Sequence, residues 1–128
     1  AGLEYRRDWV LHTDGTLASG KGAALELLGR GELPQGIVCG SNLLAYAFTL
    51  AAAERDVAIP GDMLLITFDR YPYSGLISPE PTLVQIDVRD MGRAAAKQLL
   101  QGLKKPELRV QSYTTLPSLI EGQSTRKL

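Results

Sequence analysis

Between Gly36 and Ile86 the chain sets two apolar runs, GIVC and MLLITF, on either side of an alanine-rich segment, and this arrangement leaves little freedom of fold. Met63 to Phe68 is nearly all apolar, the pattern of a central parallel strand covered on both faces rather than an edge strand with one wet side. Ile37-Val38-Cys39 reads as a second strand core. Between the two, Leu44, Phe48 and Ala51 or Ala52 recur at helical spacing, and Glu54, Arg55 and Asp56 mark a wet end, so a helix is expected from Asn42 to about Arg55. Ser41 or Asn42 can cap it by accepting a first-turn backbone N–H. Ile59-Pro60-Gly61 then turns the chain back.

The flanking sequence continues the alternation. Asp8 to Leu11 (DWVL) is a short apolar run, read as a strand before a polar turn. Leu17 to Leu28 reads as a helix entered through Thr16 and left through Gly29-Arg30-Gly31 and Pro34. Gly20 and Gly22 each cost that helix about 1 kcal/mol against alanine, and a close approach to a sheet is the expected reason for them. Thr82 to Ile86 is another extended run. Asp87 caps a helix in which Met91, Ala95 and Leu99 repeat every four residues, with Gly102 and Pro106 closing it. The tail, Leu108 to Tyr113 and Leu116 to Ile120, reads as extended with turns. Strands alternating with helices imply one α/β domain, a parallel sheet with helices on both faces in three layers.

In such folds ligands gather outside the carboxyl ends of the strands. That rule selects Asp14-Gly15, Ser41-Asn42 and Asp69-Arg70, one cluster after each of the first three expected strands. A carboxylate there accepts hydrogen bonds from a hydroxylated ligand, and Ser41 and Asn42 add donors and acceptors. Ser, Asn, Asp and Gly are equally the residues of helix caps and turns, and for Ser41 and Asn42 both readings stay open. Asp69 is not followed by an obvious helix start, which favours a functional role.

Several function classes find little support. Fourteen basic residues balance fourteen acidic ones, and the pairs Arg6-Arg7, Lys104-Lys105 and Arg126-Lys127 are scattered, so no basic footprint for nucleic acid emerges. No stretch approaches the length of a membrane span, and AGLEYRRDWV lacks the order of a signal peptide. With 45% hydrophobic and 22% charged residues the composition is that of an ordinary cytoplasmic globular protein, and a start at Ala1 suggests a fragment. One histidine, His12, and one cysteine, Cys39, give no catalytic pair and no nitrogen–sulfur metal site, and no cofactor is indicated. Cys39, beside Ile37 and Val38, reads as a packed apolar residue. The segment Gly15 to Gly22, GTLASGKG, imitates a phosphate-binding P-loop before a helix, but it has glycine where a magnesium-ligating Ser or Thr belongs. A nucleotide hydrolase is therefore a remote alternative. Tyr71, Pro72 and Tyr73 suit a binding cleft or a subunit contact equally well.

Taken together, the strand, small-polar turn and alanine-rich helix, then Ile59-Pro60 with Asp62, an apolar strand ending Phe68-Asp69, and Ser78-Pro79 with Thr82 resemble the effector-binding core of the LacI/GalR transcription regulators. The resemblance extends upstream through Asp14, Ser19-Gly20, Ala23 and Leu27-Leu28. Downstream it takes in Met91-Gly92, Ala94-Ala95, Leu99-Leu100, Leu119-Ile120-Glu121 and Ser124-Thr125, about residues 9 to 125 in all. It implies a type I periplasmic-binding-protein-like core and a sensor rather than an enzyme. A small molecule held between two lobes shifts DNA affinity, and DNA is touched only by a helix-turn-helix absent from this chain. It also implies a cytoplasmic homodimer, with the helix from Asn42 to Arg55 and the loop Tyr71 to Ile77 as contact surface. This chain then corresponds mostly to the second lobe, and the helix 87–103 belongs to the other lobe of the intact protein. Asp69 takes the place of the family aspartate that binds effector hydroxyls, and Ser41-Asn42 that of a common Asn-Asp pair. Gly15 stands where many sugar-responsive members have an aromatic, Ile86 where many have glutamine, and Gly122 where the closing strand has arginine. The resemblance thus points to a sensor more firmly than to a sugar. A lobe of a periplasmic-type solute receptor is the alternative of the same architecture.

Overall fold

The computed structural model describes residues 2, 5–70, 75, 77–105, 107 and 112–126. The aromatic cluster at 71–73, most of the loop expected at a subunit contact, Pro106, the tail segment 108–111 and Lys127 of the last basic pair lie outside the described residues. After a single 3₁₀ turn at Arg7–Trp9, the order is α1 (Leu17–Leu28), β1 (Gly36–Cys39), α2 (Asn42–Glu54), β2 (Leu64–Phe68), β3 (Thr82–Gln85), α3 (Val88–Lys104) and β4 (Ser118–Ile120). The sheet order is β1-β2-β3-β4, and β1, β2 and β3 run parallel, the α/β arrangement expected from the alternation.

Register decides which residues share a face. Ile37 pairs with Leu65, Cys39 with Thr67, and Thr67 with Leu83, so these five side chains lie on one side of the sheet. That side holds the core, where Cys39 and Leu65 pack with Ala24, Leu27 and Leu28 of α1 and Ala45, Phe48, Ala51 and Ala52 of α2. The other side carries Val38, Ile66, Phe68 and Val84, and here the expectation of two dry faces is corrected. Val38 is 64% exposed and Phe68 39%, while Leu64, Ile66 and Val84 are only half-buried. An all-apolar run reports that both faces avoid water somewhere, not that this stretch of chain covers both.

α1 and α2 begin as their caps dictate. Thr16 Oγ1 accepts the Ser19 N–H at 3.2 Å, and Ser41 Oγ accepts the Leu44 N–H at 3.3 Å. The two helices pack closely because the residues between them are small. A Cβ added at Gly20 would lie 2.7 Å from Leu44 Cδ2 and 3.1 Å from Ala47 Cβ, so the close approach that Gly20 serves is to a helix and not to a sheet. Gly22 meets nothing within 4 Å, and the structure offers no reason for it.

The C-terminal residues are tied between β2 and β3. Ser124 Oγ accepts the Thr82 N–H at 2.8 Å and donates to the Leu65 carbonyl, and Leu65 N–H donates to the Ser124 carbonyl at 3.1 Å. Gly122 is buried, donates to Thr82 Oγ1 at 3.0 Å, and leaves no room for a Cβ against the Glu80 and Pro81 backbone. An arginine at this position is therefore sterically excluded.

Contacts divide the chain into two compact units, residues 1–84 with 119–128, and residues 85–118. In the second unit α3 is capped as expected, Asp87 Oδ1 accepting Arg89 N–H at 3.0 Å and Asp90 N–H at 2.9 Å. No α3 residue is buried, and Val88, Met91, Leu99 and Leu103 are 46–72% exposed. Tyr113 donates its hydroxyl to Asp90 Oδ2, a partner that favours the protonated phenol and raises its pKa.

Candidate functional site

Parallel pairing gives the strand ends a common rim. Cys39 and Thr67 are in register, so two residues further on Ser41 and Asp69 leave neighbouring strands at the same level. Adjacent strands lie about 4.8 Å apart, which places these two turns side by side. Thr13 and Gly40 line one groove, so Asp14 and Ser41 each lie one residue beyond a shared wall. Ser41-Asn42 and Asp69-Arg70 thus follow the carboxyl ends of β1 and β2, whereas Asp14-Gly15 follows no strand of the sheet, because the segment before it forms a 3₁₀ turn and no ladder.

Their individual roles differ. Asp14 Oδ1 accepts the Thr16 N–H at 2.9 Å and the Thr16 hydroxyl at 2.7 Å, and these bonds hold its carboxyl below the ordinary aspartate pKa. Gly15 follows at φ +82°, a left-handed conformation that an aromatic would occupy only under strain. Asp14-Gly15 thus forms the entry turn of α1. Ser41 caps α2, and Asn42 separates from it: Asn42 is 4% exposed, and among the described residues its Nδ2 is a buried side-chain donor without a hydrogen-bond acceptor. Buried amides of this kind are uncommon and ask for an explanation. Asp69 is exposed at φ +59°, its N–H donating to the Val84 carbonyl at 3.0 Å. A non-glycine residue there carries backbone strain of the sort found at functional turns. Arg70 is paired with Glu80 at 3.2 Å, with both side chains about half exposed, a bridge that contributes little to stability.

The groove beside the rim was not anticipated. It has a volume of about 340 Å³ and is lined by Trp9, Val10, Leu11 and Thr13 on one side, Gly36 to Gly40 along the other, and Ala24, Leu44 and Phe48 beneath. A segment read as a strand gave no hint of a cleft. Asn42 had a readable signal, since a serine in the cap position leaves the next polar side chain without a capping duty.

Lys21 lies inside α1 and pairs with Glu54 of α2, while Gly20 is buried against α2, so GTLASGKG is helix entry and helix rather than a phosphate-cradling loop. Burial pushes the Cys39 thiol up to about 12, which keeps it protonated and unreactive. Among the described residues no group of three or more His, Cys, Asp or Glu side chains is placed to hold a metal, and His12 is exposed. No described helix is long and apolar enough to cross a membrane.

Comparison with known proteins places this geometry among relatives. A family model for the periplasmic binding protein-like domain matches residues 1–125. The HTH-type transcriptional repressor PurR of Erwinia tasmaniensis is 27% identical over 124 residues, 97% of this chain but 36% of the repressor. A LacI family transcriptional regulator from Bifidobacterium animalis subsp. lactis superposes with a TM-score of 0.84 at 30% identity, over 97% of this chain and 44% of that one. A LacI family regulator from Lactobacillus casei with bound sucrose shares the fold, with a TM-score of 0.82 at 23% identity over 95% of this chain and 45% of that one. The chain spans less than half the length of each.

Proposed function

Because the chain belongs to the family of periplasmic binding protein-like domains, and its relatives include LacI-type transcription regulators, we propose that it is an effector-sensing lobe of a DNA-binding repressor. A small molecule, a sugar or related metabolite, binds at the strand-end rim. Operator contact is made by a helix-turn-helix outside these residues, in a cytoplasmic homodimer that acts by binding and not by bond-making. The observation that carries this reading is the parallel pairing of Cys39 with Thr67, each two residues before Ser41 and Asp69, together with a buried amide of Asn42 that lacks an acceptor among the described residues. A ligand hydroxyl or carbonyl meets that need, and Asp69 accepts from a second hydroxyl. Asp14 and Gly15 shape the edge of the rim, and Arg70 offers a cation at its border. The relatives' roles favour the regulator over a transport receptor of the same fold.

α3 belongs, on this reading, to the other lobe of the intact protein. Its apolar stripe, in which no residue is buried, and its place in a separate compact unit support that assignment. An effector alters DNA affinity only if it binds two lobe arrangements unequally, so α3 and the strand-end rim are the two parts whose relative state the ligand biases.

The experiment is operator binding by the full-length regulator, read by fluorescence anisotropy against metabolites beginning with sucrose. Asp69→Asn is expected to raise the effector concentration for half-response at least about tenfold, the equivalent of roughly 1.4 kcal/mol. A wild-type response in that variant removes Asp69 from the site.

A further inference from the structure

α3 carries its cations on one side. Arg89, Arg93 and Lys97 follow at four-residue spacing and Lys104 lies two turns beyond, so the helical period gathers all four on one face. They form a stripe about 22 Å long, in whose first half neighbours rise about 6 Å from one to the next. Adjacency in the sequence does not reveal such a stripe, which exists only once the segment is helical. Met91, Ala95, Leu99 and Gly102 fall on the nearly opposite face. Whatever covers that apolar face therefore leaves the basic one in water.

Nothing on the helix neutralises the stripe. Asp90 is the one carboxylate within α3, and it accepts the Tyr113 hydroxyl. Among the described residues no ion pair reaches Arg89, Arg93, Lys97 or Lys104. Like charges four residues apart destabilise a helix, and α3 buries no residue to offset them. A helix surface selected only for solvation sets opposite charges at this spacing, as Glu26 and Arg30 do at the end of α1. The basic face is also an open groove. Arg93, Lys97 and Lys104 border a concavity of about 460 Å³ that Ala96, Leu100 and Gln101 complete, with no carboxylate in its lining. Leu100 stands 58% exposed among the cations.

We propose that the basic face of α3 is a docking surface for an acidic helix of a second protein. A partner helix with Asp or Glu at every fourth position repeats the same rise, and one apolar residue between its carboxylates covers Leu100. That apolar centre decides between polyanions. A nucleic-acid backbone offers phosphates but nothing for Leu100 to bury against, and an anionic membrane takes up a helix by its apolar face, which here points the other way. An apolar residue ringed by cations suits a protein surface, in which charges set encounter and specificity and salt weakens both. The contact leaves the strand-end rim untouched and does not depend on the effector reading.

The test uses the full-length regulator and a fluorescent synthetic helical peptide with Glu at every fourth position and one central Leu, read by anisotropy at low salt. It is expected to bind at least about tenfold more tightly than a scrambled peptide of the same composition. Arg93→Glu with Lys97→Glu is expected to weaken binding at least about tenfold with operator affinity unchanged, and a peptide with Lys in place of Glu is expected to bind that variant. If the variant fails to fold, the wild type decides: the peptide is expected to protect Lys97 and Lys104 from acetylation and to leave Lys21 reactive. Equal binding of the scrambled peptide, or equal protection of Lys21, overturns the proposal. So does tighter binding of non-operator duplex DNA or of phosphatidylglycerol vesicles through the same two residues. The peptide and the effector are read separately, so a failure here and a wild-type effector response of Asp69→Asn stay distinguishable.

Discussion

α2 and α3 are both capped by a short polar side chain, and differ most in what they bury. Six of the 13 residues of α2 are buried, four of them alanines, and α1 lies close enough that Gly20 admits no side chain. None of the 17 residues of α3 is buried, although Val88, Met91, Ala95, Leu99 and Leu103 follow one another at helical spacing. A helical stripe therefore announces that a helix has a partner, without saying whether that partner lies in the same stretch of chain. The difference also separates two kinds of stability. α2 is held by packing, whereas α3 depends on its cap, local hydrogen bonds and propensity, which suffice only marginally for an isolated helix of this length.

The sharpest way to break this comparison is a matched pair of truncations. Leu27→Ala, at a fully buried site in the α1–α2 core, is expected to cost about 3 kcal/mol in urea unfolding monitored by circular dichroism. Leu99→Ala, at 65% exposure, is expected to stay within about 0.5 kcal/mol. Equal costs would mean that α3 has found a packed partner, and the contrast between the helices would fall.

A smaller effect comes from the caps. Ser41→Ala removes the acceptor for Leu44 N–H and is expected to lower global stability by about 1 kcal/mol, because α2 unfolds with the core. Asp87→Ala removes the acceptor for Arg89 and Asp90, and its effect is expected locally. Amide exchange should quicken across the first turns of α3 while the main unfolding midpoint moves little. A midpoint shift as large as that of Ser41→Ala would join α3 to the cooperative core.

The same contrast explains which features were legible in the amino-acid sequence. β1, α2, β2 and the Asp87 cap were readable because strand periodicity, helical spacing and capping are local and each agreed with its neighbours. The strand expected at Asp8–Leu11 was half right: the alternation of exposure is present, but Arg7–Trp9 forms a 3₁₀ turn and the residues after it join no strand among the described residues. Gly20 signalled close approach yet not whether a helix or a sheet would approach. At the rim, the positions of Ser41, Asn42 and Asp69 followed from parallel topology, whereas the division of labour between a capping Ser41 and a buried Asn42 depended on three-dimensional packing. Gly122, noted first as a departure from the family arginine, proved to be dictated by the Glu80–Pro81 backbone.

The smallest expected effect concerns pH and the entry of α1. Asp14 is exposed, but its two bonds from Thr16 favour the carboxylate, so its folded pKa lies below that of the unfolded chain. The sign follows from linkage: the unfolded state binds the proton more readily, so the stabilisation is complete above the unfolded value near 3.9 and is lost as pH falls through the folded value. Asp14→Asn retains an acceptor for Thr16 and cannot titrate, so its unfolding midpoint should fall less steeply than that of the wild type below about pH 4. Parallel acid limbs in the two proteins would show that the Asp14 bonds are too weakly held at the surface to couple to folding. The helix entry would then resemble α3, in which local bonds form without being anchored by the core.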